Sequence, residues 1–132
     1  MQSSIIPGFL SKLNIARQGH MISIKVEFCK ITLRLLDMFE ELGIIRGYKI
    51  LYDENKIKVF LKYTSGSFGI FFKLSLVSSS SKRVYVDLMH LVKLKENKGS
   101  TIFIISTPYG ILFDSECLML KVGGEVLIKV VL

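Results

Sequence analysis

At 132 residues and 15.0 kDa the chain forms one domain or two small lobes sharing an interface, and with half of its residues hydrophobic whole-chain disorder is excluded. Lys and Arg number 18 against 11 Asp and Glu, a net charge of +7 with a pI near 9.5. That excess points to a polyanion, nucleic acid first and an acidic membrane surface second, with a merely soluble basic protein as the bland alternative.

Residues 6–17 place Ile6, Phe9, Leu10, Leu13 and Ala16 at helical spacing, which predicts an amphipathic helix with Pro7 in its first turn. Lys12 and Arg17 lie off that stripe and read as solvated cations, with phosphate contact as the functional alternative. Residues 23–28 alternate, with Ile24, Val26 and Phe28 on one face and Lys25 and Glu27 on the other, a half-buried strand. Residues 30–42 return to helical period, with Ile31, Leu35, Phe39 and Leu42 as the stripe and Met38 beside it. Gly43 supplies the stop. Lys30 and Arg34 sit near the start of this helix, where cations oppose the macrodipole unless an external anion lies there.

Residues 48–52 and 57–63 read as a hairpin turning at Asp53-Glu54-Asn55, with Lys56, Lys58 and Lys62 on the outward face of its second strand. A Gly/Ser connection over 64–69 leads to an apolar extended run over 70–77. The expected N-terminal lobe, residues 1–74, is helix, strand, helix, strand, strand.

The C-terminal lobe, residues 75–132, is expected to be mainly antiparallel β with a short helix, giving an α+β fold in two lobes. Ser78 to Ser81 are four serines in a row, either a mobile linker or hydroxyls lining a phosphate backbone beside Lys82 and Arg83. Residues 84–86 form a short strand in which Tyr85 either stacks on a base or covers the sheet edge. Residues 93–99 read as a Lys-rich loop and 101–105 as a buried strand, with 111–113 returning after the turn Thr107-Pro108-Tyr109-Gly110. Asp114 or Ser115 is expected to cap a helix reaching Leu120, and Gly123-Gly124 to free the chain before a closing strand over 126–131.

Catalytic logic is missing. The sequence holds no P-loop and no GxGxxG. Cys29, Cys117, His20 and His90 fall at no metal-ligand spacing, so neither a cofactor, a metal nor a small-molecule substrate is expected. The two thiols are expected to be buried and reduced, a single disulfide being the alternative. Mean hydropathy is +0.46, but a span needs about 20 consecutive apolar residues. Ser106 closes one apolar run and Lys129 interrupts another, so no membrane span is expected. What remains is a basic chain with hydroxyl-bearing turns: cations for phosphates, hydroxyls and backbone N–H groups for positioning, aromatic faces for stacking.

The order of motifs resembles the small-subunit ribosomal protein eight family, of bacterial and organellar type. Ser106-Thr107-Pro108-Tyr109-Gly110, the segment 114–120 and Lys121-Val122-Gly123-Gly124-Glu125 match that family's Ser-Thr-Ser-Lys-Gly, short acidic helix and Gly-Val-Gly-Gly-Glu. Upstream, Cys29-Lys30-Ile31 through Glu40-Glu41-Leu42-Gly43-Ile44-Ile45, then Lys62-Tyr63, Val77-Ser78 and Arg83-Val84-Tyr85 follow in family order. The departures are Pro108 and Tyr109 in place of a Ser and a Lys, Leu76 in place of an Arg, Ser80-Ser81 in place of Pro-Gly, and two extra residues within 93–99.

The resemblance implies a non-enzymatic constituent of the small ribosomal subunit that binds an irregular helix in the central domain of its rRNA, close to small-subunit protein five. The RNA contacts expected are Ser106, Thr107, Gly110, Gly123, Gly124 and Glu125 from the matched motifs, together with Lys82, Arg83 and Tyr85 in the C-terminal lobe and Lys30, Lys12 and Arg17 as backbone contacts from the residues themselves. A non-ribosomal module at RNA or an acidic membrane is the alternative. Richness in Ile, Phe, Lys and Leu, drifted loops and the lack of a presequence or signal-peptide pattern favour a mitochondrial copy over a plastid or bacterial one.

Overall fold

The computed structural model describes residues 2–63, 73–79, 81–97 and 101–131, and the chain divides into two compact units, Met1–Phe71 and Phe72–Leu132. The architecture is α+β in two lobes. Expected features at 64–72, at Ser80 and at 98–100 lie outside the described residues.

In the first unit, α1 (Gln2–Gln18), β1 (Ser23–Glu27), α2 (Lys30–Leu42), β2 (Ile45–Leu51) and β3 (Lys56–Leu61) follow one another. The strands form an antiparallel sheet in the order β1-β3-β2. Val26, Ile57 and Val59 bury one sheet face, and Ile6, Phe9, Leu10, Leu13 and Ala16 bury the expected stripe of α1. The rings of Phe9 and Phe39 stack with centroids 5.9 Å apart, within the favourable offset range. On α2 the buried face runs through Thr32, Leu35, Leu36, Met38 and Phe39. The stripe is therefore rotated from the expected one, leaving Ile31 and Leu42 only half-buried. Gly43 closes the helix in the left-handed region at φ 80°, its N–H returning to the carbonyls of that last turn. Phe28 departs from its expected face: the strand ends at Glu27 and the ring is exposed.

Tyr48 ties β2 to α2 by donating its phenol to Asp37 Oδ1 at 2.7 Å. The hydrogen bond to that carboxylate, followed by desolvation, pushes the phenol up to about 12. A raised pKa favours the protonated phenol of the folded state, so this contribution to stability is fully present below pH 10 and lost as pH rises toward 12. In absorbance titration of the folded chain, a tyrosine ionising near pH 12 is expected, and it should disappear in Tyr48→Phe while Tyr63, whose phenol burial also pushes up, still ionises late.

In the second unit, β4 (Lys73–Leu76), β5 (Tyr85–Val86), α3 (Leu88–Asn97), β6 (Thr101–Thr107), β7 (Gly110–Phe113), α4 (Asp114–Leu120) and β8 (Gly124–Val131) are present. The sheet order is β4-β8-β6-β7, with β5 also pairing β8, all antiparallel. Leu91, Phe103, Ile105, Cys117 and Val126 form the core beneath α3 and α4. The helix α3 replaces most of the expected Lys-rich loop. Asp87 caps it, accepting from the His90 N–H at 2.9 Å, and Leu91 and Leu94 turn inward while Lys93 stays exposed.

The start of α4 also differs from expectation. Phe113 is the N-cap residue and contributes only backbone, and Glu116 Oε1 accepts its N–H at 3.0 Å, the N3 half of a capping box. Asp114 lies within the helix and is 2% exposed. Its carboxylate accepts from Ser115 N–H at 2.7 Å, Phe103 N–H at 3.1 Å and Lys95 Nζ at 3.2 Å, joining α4, β6 and α3. Both cysteines are free; Cys117 is buried, and desolvation raises its thiol pKa, whereas Cys29 is half-buried rather than buried.

Candidate nucleic-acid interface

The hairpin β6–β7 turns through Pro108 and Tyr109, between Thr107 and Gly110. Gly110 has φ 113°, a conformation that only glycine adopts readily. The Thr107 hydroxyl donates to Gly110 O at 2.9 Å and accepts from Tyr109 N–H at 3.1 Å. Its donor and one acceptor position therefore serve the turn. Tyr109 projects from that braced tip, 69% exposed.

Next to the hairpin, a bulge between Ile104 and Ile105 changes which residues face each other. Ile104 pairs with Ile128, but Ile105 pairs with Val126 and Ser106 with Glu125. Uninterrupted pairing would set Val126 opposite Ser106. The extra residue re-aims the strand, as bulges do, so a carboxylate rather than a valine stands beside the serine.

Glu125 is also opposite Tyr85 on its other side, and Ser106 is opposite Ile111. Directly opposed residues share a face, so Tyr85, Glu125, Ser106 and Ile111 form one row across four strands. Arg83 Nη1 reaches both Glu125 carboxylate oxygens, at 3.3 and 3.2 Å. The Glu125 side chain is only 11% exposed, against 41% for Arg83. The acid thus orients the guanidinium through one nitrogen, and the other donors of the five-donor fork remain for a ligand. Among the described residues nothing bonds the Ser106 hydroxyl.

Tyr85 is 67% exposed, so its ring is presented rather than spent on covering the edge. The serine stretch is neither a bare linker nor an open row of hydroxyls at its described positions. Ser78 is buried, donating to Val126 O at 2.6 Å and accepting from Val84 N–H at 2.9 Å. Ser79 N–H donates to Lys82 O at 2.8 Å, and Ser79 Oγ accepts from Lys82 N–H at 3.1 Å. This closed turn carries exposed Lys82 and Arg83 to the row.

The two glycines act differently from the expected freeing of the chain. A Cβ on Gly123 would stand 2.3 Å from Val86 O, and one on Gly124 2.1 Å from Ser106 O. Neighbouring backbone fills that space, so these glycines bring β5, β6 and β8 together; their contribution to a site is to shape it.

In the first unit, Lys30 is exposed at the start of α2 and Lys12 is exposed on α1. Arg17 differs from its expected solvated state: it is half-buried, near the Tyr63 phenol, whose pKa burial raises while the Arg17 charge partly opposes that rise. Tyr109, in sequence terms only a lost cation, is an exposed ring at the hairpin tip. An aromatic at the second position of a two-residue hairpin loop has no neighbour to cover it, which is the signal that points to its exposure.

A family model described as ribosomal protein S8 matches residues 4–131. The chain is 30% identical over 127 residues to the small ribosomal subunit protein uS8m of Acanthamoeba castellanii, covering 96% of this chain and 98% of that one. It is 32% identical over 127 residues to the small ribosomal subunit protein uS8 of Rickettsia canadensis and 34% identical over 128 residues to that of Rickettsia rickettsii, each covering 95% of both chains. These likenesses leave the non-ribosomal alternative without support, and no helix among the described residues is long and apolar enough to cross a membrane. The chain belongs to the ribosomal protein S8 family, whose members are structural ribosomal proteins rather than enzymes.

Proposed function

We propose that the chain is a structural constituent of a small ribosomal subunit that binds an irregular helix in the central domain of the subunit rRNA, supporting assembly and translation. The observation that carries this reading is the row Tyr85–Glu125–Ser106 with Arg83 held beside it. It places a stacking ring, an oriented cation and an unengaged hydroxyl on one face of a chain with net charge +7. Lys82 adds a cation for phosphate at the row, and Tyr109 offers a second ring, at the tip of the adjoining hairpin, where the family pattern carries a lysine. Bases splayed from an irregular helix are read by such stacking and edge contacts, whereas regular A-form grooves hide sequence.

Thr107, Gly110, Gly123 and Gly124 act in this reading by holding the surface in shape. Lys12, Lys30 and Arg17 belong to its backbone contacts. Small-subunit protein five is the expected neighbour. The mitochondrion is the expected compartment, supported by the uS8m relative and by the drifted motif residues Pro108 and Tyr109; plastid and bacterial cytoplasm are the alternatives.

The test is binding of the full chain to a transcribed central-domain fragment beside an unrelated RNA of equal length, across a salt series. Tighter binding to the fragment is expected, with log K falling by about 0.7–0.9 per phosphate neutralised for each unit of log salt. Equal affinity for both RNAs would defeat the reading.

A further inference from the structure

The first unit carries a row of lysines that the expected contacts do not include. On β1, β3 and β2 the register places Lys25 opposite Lys58 and Lys58 opposite Lys49. Opposed residues share a face, so three lysines form one row across the sheet, on the side away from buried Val26, Ile57 and Val59. With strands about 4.8 Å apart, the outer two backbones stand about 10 Å apart. Like charges directly opposite one another destabilise a sheet, and this sheet stacks three.

Compensation within the fold is partial. Glu54 pairs with Lys25 at 2.8 Å. Among the described residues, no carboxylate pairs with Lys49 or Lys58. The Lys58 ammonium lies 5.5 Å from the Phe60 ring centroid, which braces it without neutralising it. In the row below, Lys56 reaches Glu27 only at 3.8 Å. Beside the sheet, Lys12, Lys25 and Lys58 line a groove of about 530 Å³ together with Ile15, Ala16 and Met21. The basic row is therefore continuous with exposed Lys12 of α1.

We propose that this sheet face is a second RNA surface, on which Lys25, Lys58 and Lys49 take consecutive phosphates of the sugar–phosphate backbone without reading bases. The repulsion left in the free fold is what a phosphate chain relieves. Lysine suits the task because it binds phosphate as a point charge on a flexible stem. The proposal rests on the chain being an RNA binder, but not on the C-terminal row.

The test compares the full chain with Lys49→Ala/Lys58→Ala and Lys49→Arg/Lys58→Arg, against both the central-domain fragment and the unrelated RNA. The alanine pair is expected to weaken both RNAs by the same factor, about fivefold or more at low salt, and to lower the slope of log K against log salt by about 1.5, two phosphates' worth. Its thermal midpoint should hold or rise as repulsion is removed. The arginine pair should keep affinity and slope. If the alanine pair retains the parent slope on both RNAs, or loses only the central-domain fragment, the proposal is overturned. Binding of this face to polyglutamate but not to RNA overturns it as well. A parent chain that shows no preference for the fragment, while the alanine pair still loses slope on both RNAs, defeats the proposed function and leaves this surface standing.

Discussion

Gly124→Ala is expected to be the most damaging single-methyl change in the C-terminal unit, destabilising it by about 3 kcal/mol or more. The new Cβ would meet Ser106 O at 2.1 Å and Ser106 C at 3.0 Å. Both are backbone atoms, so no rotamer change relieves the clash, and β6 and β8 must separate where they pair through Ile105–Val126 and Ser106–Glu125. The same displacement pulls apart the row that carries the proposed RNA contacts, so affinity for the rRNA fragment should fall with stability. Urea unfolding followed by circular dichroism measures the first effect. Gly8→Ala is the contrast: Gly8 lies within α1, and a Cβ there meets nothing within 4 Å. Its helix propensity should raise stability by about 0.5–1 kcal/mol. Equal midpoints for the two variants would show that the close approach of β8 to Ser106 does not constrain the fold.

Asp114→Ala is expected to lower stability by about 3 kcal/mol, measured in the same unfolding experiment. The carboxylate accepts from a strand N–H, a helix N–H and a lysine. Removing it leaves buried donors at about 1–3 kcal/mol each. The share of Lys95 is discounted, because its side chain is 25% exposed and can turn to water while keeping company with Thr101 O. Asp114→Asn should cost about 2 kcal/mol, since an amide offers one acceptor oxygen and its NH₂ must face a donor. A loss below about 1 kcal/mol for the alanine variant would mean that the three elements are held by the apolar core alone.

The contrast between these two residues shows how far the sequence was legible. Local signals were sound: the periodic stripe on α1, the Gly43 stop, the strand at Ser23 and the Pro108–Gly110 hairpin all depend on neighbours a few positions away. The missed helix α3 was also local. Asp87 as cap and Leu91 and Leu94 at i, i+3 are its signals, against which Lys93 and Lys95 in alternation carry the pattern of a polar loop.

Non-local facts were out of reach. The bulge that sets Glu125 beside Ser106, the obligation of Gly124 to Ser106 O, and the burial of Ser78 against Val126 each depend on which strand arrives next to which. The lysine row of the first unit is the same kind of fact. Lys58 was visible on an outward face, yet Lys25 and Lys49 join it only through the order β1-β3-β2. Among the proposed site residues, sequence order names the segments but not their division of labour, which depends on how the strands pair. Thr107, Gly123 and Gly124 brace the surface, whereas Ser106, Arg83, Tyr85 and Tyr109 present groups from it.

The central claim is that the Ser106 row reads small-subunit rRNA, and the affinity of Ser106→Ala for the central-domain fragment tests it most directly. The hydroxyl has no partner among the described residues, so its removal should leave the unfolding midpoint unchanged. Affinity for the fragment is expected to fall by about 1 kcal/mol or more, roughly fivefold, for the lost hydrogen bond, with binding to unrelated RNA and the salt slope unaltered. Full affinity for the fragment, or an equal loss on both RNAs, would contradict the account.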